Sequence, residues 1–288
     1  MKQSGQSNQP VLLLGTHPIA GSIANCLVQG GWTVLDDLDG ALPEDIRMAI
    51  LVTEEDSDTK MHLIREAEEC VPVETLICIN TETIGLDTLQ EHAMHPGRII
   101  SLNWTEPADS TFFLEIIAND VTHPSHAGYI ADIARATWNK DPYVIHGNTG
   151  IRMRLMGALI REALFLVGNG YANVEDVDRA CRNDAGYYLP FAGNLRYMDL
   201  MGTYAYGMVM KELNRELARD TELPLFFKEM IVNKEWGMDA GKGFYSYAPG
   251  EAAKWRDLSG KFSHEISELI TKYHHAEEAV LNLRNGAH

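Results

Sequence analysis

The feature that most constrains this chain is a change of rhythm at Gly147. Before it, short apolar runs alternate with amphipathic stretches. Residues 11–14, 32–35, 48–52, 75–79, 98–102, 113–117 and 143–146 read as strands. Continuous apolar runs of that length belong to strands buried on both faces. Residues 19–29, 59–70 and 126–138 carry the helical period between them. This order predicts an α/β domain built on a doubly wound, mostly parallel sheet. After Gly147 the strands stop. Residues 155–167, 174–181, 195–219 and 225–233 read as helices, and Asn173 ahead of Glu175 and Asp176 is a good N-cap. Residues 263–283 place Ile266, Leu269, Ile270, Tyr273, Val280 and Leu283 on one stripe. Two domains follow: 1–147, with residues 1–9 as a flexible polar leader, and an all-α 148–288.

Charge narrows the partners. A net charge of −17 is the wrong sign for a nucleic-acid phosphate backbone or an anionic membrane surface. No apolar run approaches the ~18 residues that span a bilayer. Cys26, Cys70, Cys78 and Cys181 fit neither a disulfide framework nor a zinc site. Thiols in a reducing compartment are expected, hence a cytoplasmic protein. The pairs His92/His95 and His274/His275 lack partners for a ligand set, so no metal is expected.

One glycine turn carries a ligand signal. Gly15 follows the first strand and precedes a helix, and Asp36 lies 21 residues on, at the end of the second strand. A helix N-terminus after such a turn binds a pyrophosphate, and the later acid takes ribose hydroxyls. This is the Rossmann-like arrangement for NAD. The loop departs from G-x-G-x-x-G, since His17 and Ala20 stand at the second and third glycines. Ala20 can serve for close packing. At His17, a β-carbon and an imidazole stand where phosphate approaches. The alternative is a Rossmann-like domain that has lost its nucleotide.

Residues 235–247, EWGMDAGKGFYSY, resemble the G-x-G-x-K-T-G-K-G-F-Y-D-Y signature of 3-hydroxyacyl-CoA dehydrogenases. Residues 170–178 resemble the family's G-V-A-x-x-E-D-I-D, and 193–202 its G-P-F-x-L-x-D-x-x-G. Glu55-Asp56 with Lys60 resembles E-D-x-x-x-K, and Asn80-Thr81 resembles S-N-T-S-S. The resemblance implies NAD-dependent oxidation of a small-molecule substrate, the 3-hydroxyl of an acyl-CoA in fatty acid metabolism, by a homodimer formed through the helical substrate domain. It implies cofactor contacts at Gly15, His17, Ala20, Asp36, Glu55, Lys60 and Asn80. Lys60 is also the one matched cation for CoA.

The family's catalytic His and Glu stand 12 residues apart in H-F-F-N-P and beyond. Here Pro107 and Glu115 match, but the base is Asn103. An amide cannot accept a proton near neutral pH, and general base catalysis contributes about 10²- to 10⁴-fold. The family's substrate-contacting serine is Glu82, and its later asparagine aligns with Arg154, or with Met153 if one residue is skipped. Only residues 38–47 separate the second and third strands, so the family's helical excursion there is missing.

Two readings remain open. One is an NAD(P)-linked oxidoreductase of altered chemistry, in which Asn103 binds the substrate oxygen and Glu115 orients the site. Glu82, Glu106 and Glu115 then gather carboxylates that raise one another's pKa, one acting as the base. The plainer alternative for Glu82 and Glu106 is a solvated strand end. The other reading is a catalytically silent homologue that binds or builds; a variant of the first, suggested by Glu82, is a dehydrogenase acting on a smaller or cationic substrate.

Overall fold

A computed structural model describes residues 9–38 and 42–285, the side chains of 274–285 excepted. The polar leader up to Asn8, residues 39–41 of the shortened second connection, and the Val280 and Leu283 side chains of the C-terminal stripe lie outside the described residues.

The chain forms two compact units that divide between Arg154 and Leu155. The first runs β1 (Pro10–Leu14), α1 (Ala20–Gln29), β2 (Thr33–Leu35), β3 (Met48–Leu51), α2 (Ser57–Cys70), β4 (Leu76–Ile79), α3 (Leu86–Gln90), β5 (Ile99–Asn103), β6 (Phe113–Ala118), α4 (Ser125–Thr137) and β7 (Asp141–His146). The seven strands make one sheet ordered β2-β1-β3-β4-β5-β6-β7. Among the described residues of this sheet, only the β5–β6 pairing is antiparallel. The fold is therefore Rossmann-like, as the alternation predicts.

Strand side chains alternate between the faces, and both faces here are buried. Val11, Leu13, Met48 and Ile50 join Ile23 and Leu27 of α1 and Ile130 and Ala134 of α4 in one core. Leu12, Leu14, Ala49 and Leu51 join Ile64 and Ala67 of α2 and Leu86 and Leu89 of α3 in the other. Trp138 packs between Trp32 and Trp104 on the first face, with ring centroids 6.0 and 5.5 Å away.

The division falls beyond Gly147 for a physical reason. Residues up to Arg152 return to the sheet, where Ile151 and Arg152 donate backbone N–H groups to Glu115.

The second unit is helical: α5 (Arg152–Gly168, begun in the first unit), α6 (Val174–Ala180), α7 (Gly186–Met201), α8 (Thr203–Leu213), α9 (Leu225–Val232) and α10 (Glu251–Asn285). The Asn173 side chain caps α6, accepting from Asp176 N at 2.8 Å. The single helix expected over 195–219 is instead broken at Gly202 (φ +106) and ends at Leu213. The C-terminal helix starts at Glu251, well before residue 263. Tyr245 of the glycine-rich signature donates to Asp178 of α6 at 2.8 Å, so two of the matched motifs meet. No described helix is long and apolar enough to cross a membrane.

Candidate active site

The site lies at the C-terminal ends of the parallel strands, where open α/β sheets place ligands. At the first of these ends, Gly15 has φ +122, and a β-carbon there would sit 1.9 Å from the Val52 carbonyl oxygen. Only glycine lets the chain turn this close to the end of β3. The N-terminus of α1 has no side-chain cap and no acid in its first turn. His17 folds back on its own loop: its Nδ1 accepts from Ile19 N at 3.3 Å and its carbonyl from Ala20 N at 2.9 Å. Asp36 is exposed just past β2. A tight glycine turn, an uncapped helix start and an acid after β2 together fit a dinucleotide.

The E-D-x-x-x-K segment is explained by a helix cap. Asp56 caps α2, accepting from Thr59 N at 2.8 Å. That orients Glu55 and Lys60 toward the end of β4. Glu55 Oε1 accepts from the backbone N–H groups of Glu82, Thr83 and Ile84 at 2.9, 2.6 and 2.9 Å. Burial pushes the Glu55 carboxyl up, but these bonds and Lys60 outweigh it and hold the group below its ordinary value. The Lys60 side chain is 0% exposed and donates to the Asn80 carbonyl at 2.8 Å, with Glu55 at 3.3 Å. Burial lowers its pKa against the pull of Glu55. Asn80 in turn clasps the Thr53 backbone, donating to its carbonyl at 2.8 Å and accepting from its N–H at 3.0 Å. Lys60 thus holds this loop together, and its ammonium is not open to a CoA phosphate.

The centre of the site is a row across three strands. Asn103 of β5 pairs with Glu115 of β6, and Glu115 pairs with Tyr143 of β7. Residues paired this way share a face, so the antiparallel β6 brings the carboxylate between amide and phenol. Glu115 is 1% exposed. It accepts from Asn103 Nδ2 (3.0 Å), Tyr143 OH (3.0 Å), Ile151 N (2.8 Å) and Arg152 N (3.1 Å). Gly150 makes room: a β-carbon there would lie 1.9 Å from Glu115 Oε2. Burial first, and then Glu115, push the Tyr143 phenol pKa well up, so it stays a donor.

Asn103, also 1% exposed, uses its whole amide. Oδ1 accepts from Thr81 N at 2.8 Å, while Nδ2 donates to Thr81 O at 2.7 Å and to Glu115. No amide hydrogen is left for the substrate oxygen that the sequence suggested it would bind.

Glu82 pairs through Oε1 with Nη1 of Arg152. Its Oε2 is buried with no hydrogen-bond partner. Burial raises the Glu82 pKa; Arg152 pulls it down, and Glu115 and Glu55 push it further up. Glu106 does not join these carboxylates. It accepts from Ser22 Oγ of α1 at 2.6 Å. Sequence reasoning did not single out Tyr143, Arg152 or Gly150. Strand register brings in the first, and the return of the chain after β7 brings in the other two.

Fold and site define a dinucleotide-binding domain followed by a helical unit, with a buried carboxylate at the strand ends. Residues 30–149 match the NAD binding domain of 3-hydroxyacyl-CoA dehydrogenase, and residues 151–247 match its C-terminal domain. The chain belongs to the 3-hydroxyacyl-CoA dehydrogenase family. The first match begins at Gly30, beyond the degenerate glycine loop. A similar protein is the 5-formyl-3-hydroxy-2-methylpyridine 4-carboxylate 5-dehydrogenase of Mesorhizobium japonicum, 28% identical over 83% of both chains. The structure of such a 5-dehydrogenase, described as an NAD+ dependent dismutase, superposes with a TM-score of 0.80 at 21% identity, over 91% of this chain and 97% of that one. A 3-hydroxyacyl-CoA dehydrogenase of Archaeoglobus fulgidus gives 0.63 at 23% identity, over 92% and 98%.

Proposed function

We propose that this protein is an NAD-linked oxidoreductase of a small alcohol or aldehyde, in which Glu82 replaces the family's histidine as proton acceptor. The observation that carries this reading is the Glu82 carboxyl. One oxygen pairs with Arg152 and the other is buried without a partner. A carboxylate can act as a general base, and raising its pKa above the ordinary value strengthens it as a proton acceptor. Asn103 and Glu115 are positioning residues: they fix Thr81, and with it the backbone that presents Glu82. The turn at Gly15, the start of α1 and Asp36 would hold the cofactor, with His17 and Ala20 in the loop between. When bound, NAD supplies the hydride acceptor. A small substrate is favoured over an acyl-CoA because Lys60, the matched cation, is buried in the loop.

The test has two arms. A thermal shift with NADH and NADPH asks whether a nicotinamide cofactor binds; a ligand at 100 times Kd adds about 2.7 kcal/mol, and no shift with either refutes the cofactor. NAD reduction with a panel of small alcohols and aldehydes, and with 3-hydroxybutyryl-CoA, then compares wild type with Glu82→Gln. The variant should lose about 10²- to 10⁴-fold in kcat. Wild-type kcat/KM should rise with pH through a midpoint above the ordinary glutamate value of about 4.3. Equal rates in the two proteins refute Glu82 as the base.

A second reading, a catalytically silent homologue, is favoured by one observation: the family's histidine position holds an amide, and that amide is taken up by Thr81 and Glu115. Cofactor binding with no turnover of any panel member selects it. Under either reading we infer a cytoplasmic homodimer. Leu195, Leu200, Leu225 and Val232 of the helical unit are exposed apolar side chains that a second copy would cover.

A further inference from the structure

The cations beside the strand ends are differently employed. Lys60 is locked to Asn80 and Glu55, and Lys140 to the carbonyls of Ala108 and Thr111. Arg152 is not locked in this way. Its backbone N–H is anchored on Glu115 at 3.1 Å, and its guanidinium lies 5.6 Å from the Phe113 ring centroid. The hydrogen bonds of that guanidinium run through Nη1, to Glu82 and to the Met153 sulfur at 3.6 Å. Its side chain is 22% exposed.

A guanidinium fork matches a carboxylate with two parallel N–H···O bonds. Glu82 does not meet it that way. It engages one oxygen and leaves the other buried and unpartnered. A buried acceptor without a donor carries a desolvation penalty that a better-seated ligand would relieve. Phe113, which the guanidinium overlies, packs edge to face on Tyr143 with centroids 5.9 Å apart.

We propose that Arg152 is the receptor for the carboxylate of a small substrate, and that Glu82 is a place-holder which this carboxylate displaces. The proposal rests on the reading that this site holds substrate, and it joins the two roles of Glu82. An arriving carboxylate takes the fork, and the released Glu82 side chain becomes free to accept the substrate proton.

Calorimetric titration of the full chain with isonicotinate, with the isosteric but neutral isonicotinamide, and with inorganic phosphate tests it. Isonicotinate should bind at least about tenfold tighter than isonicotinamide, since charge-assisted bonds are at stake. Arg152→Gln should erase that difference. Glu82→Gln should tighten isonicotinate severalfold, because the resident competitor for the fork is weakened. A residue that merely held Arg152 in place would give the opposite sign, so this variant carries the test even if Arg152→Gln does not fold. No measurable isonicotinate binding, equal affinity for acid and amide, phosphate binding tighter than isonicotinate, or a Glu82→Gln variant with unchanged or weaker affinity each overturns the proposal. The NADH shift, measured on the same protein, separates the two readings. A shift without discrimination of acid from amide refutes the carboxylate receptor alone, and discrimination without a shift refutes the cofactor alone.

Discussion

Asn103→Asp probes the central row with almost no change of shape. In the wild type, Nδ2 donates to Thr81 O at 2.7 Å and to Glu115 Oε2 at 3.0 Å. A carboxylate oxygen at that position faces two acceptors. The lost neutral bond is worth about 1 kcal/mol and the lost bond to a carboxylate about 1.5–3 kcal/mol. If ionised, the new carboxyl would also stand against Glu115, and two like charges at this separation repel by about 5 kcal/mol at an effective dielectric of 20. The new carboxyl therefore holds a proton and regains one of the two bonds. Its folded pKa is raised above the unfolded value of about 3.9, so the protonated pair is most stable at low pH and stability falls as pH rises toward the folded pKa. Holding the proton costs about 1.4 kcal/mol per pH unit above 3.9. The variant should be about 3 kcal/mol less stable than wild type at pH 5, and the gap should widen by up to about 4 kcal/mol at pH 8. Urea unfolding at pH 5, 6.5 and 8 measures this. A variant within about 1 kcal/mol of wild type, or a gap that does not widen with pH, refutes the role given to Asn103.

Three further outcomes are expected. Gly150→Ala forces a methyl onto Glu115 Oε2 and should destabilise the protein by about 2–4 kcal/mol, in the range for overpacking plus a broken buried network; a neutral result in thermal unfolding would count against the placement of that loop. Glu55→Gln removes a carboxylate that the fold holds below its ordinary pKa, a contribution present above the unfolded pKa and lost as pH falls through the folded one. The variant should therefore trail wild type by about 2 kcal/mol at pH 7, with the gap shrinking only as pH falls below the ordinary glutamate value of about 4.3 and through the folded pKa, as followed by pH-dependent denaturation. A chain ending at Ala248 lacks α10; if that helix covers its own subunit, light scattering should still find a dimer, whereas a monomer would assign α10 to the interface.

The alternation of apolar runs and amphipathic stretches was enough to name every strand of the first unit. Strands buried on both faces and helices buried on one leave local signatures that survive translation into a fold. The motif around Glu55, Asp56 and Lys60 was legible as a resemblance, but its work was not. The cap at Asp56, and the burial of Lys60 against Asn80, depend on where β4 ends. A short helix, Leu86–Gln90, left too few residues for a period to show.

The sequence by itself determined a Rossmann-like domain, a helical second part, and a family site whose histidine is an asparagine at Asn103. Tertiary structure decided what that asparagine does. Strand register set it beside Glu115 and Tyr143, and the neighbouring strand end consumed its amide on Thr81. It also separated three acids that the sequence could not tell apart: Glu106 went to α1, Glu115 into the core, and Glu82 to Arg152. Hydrophobic periodicity is a local property and can be read along the chain. The partners of a buried polar group come from strands far apart in sequence, and only the register of the sheet specifies them.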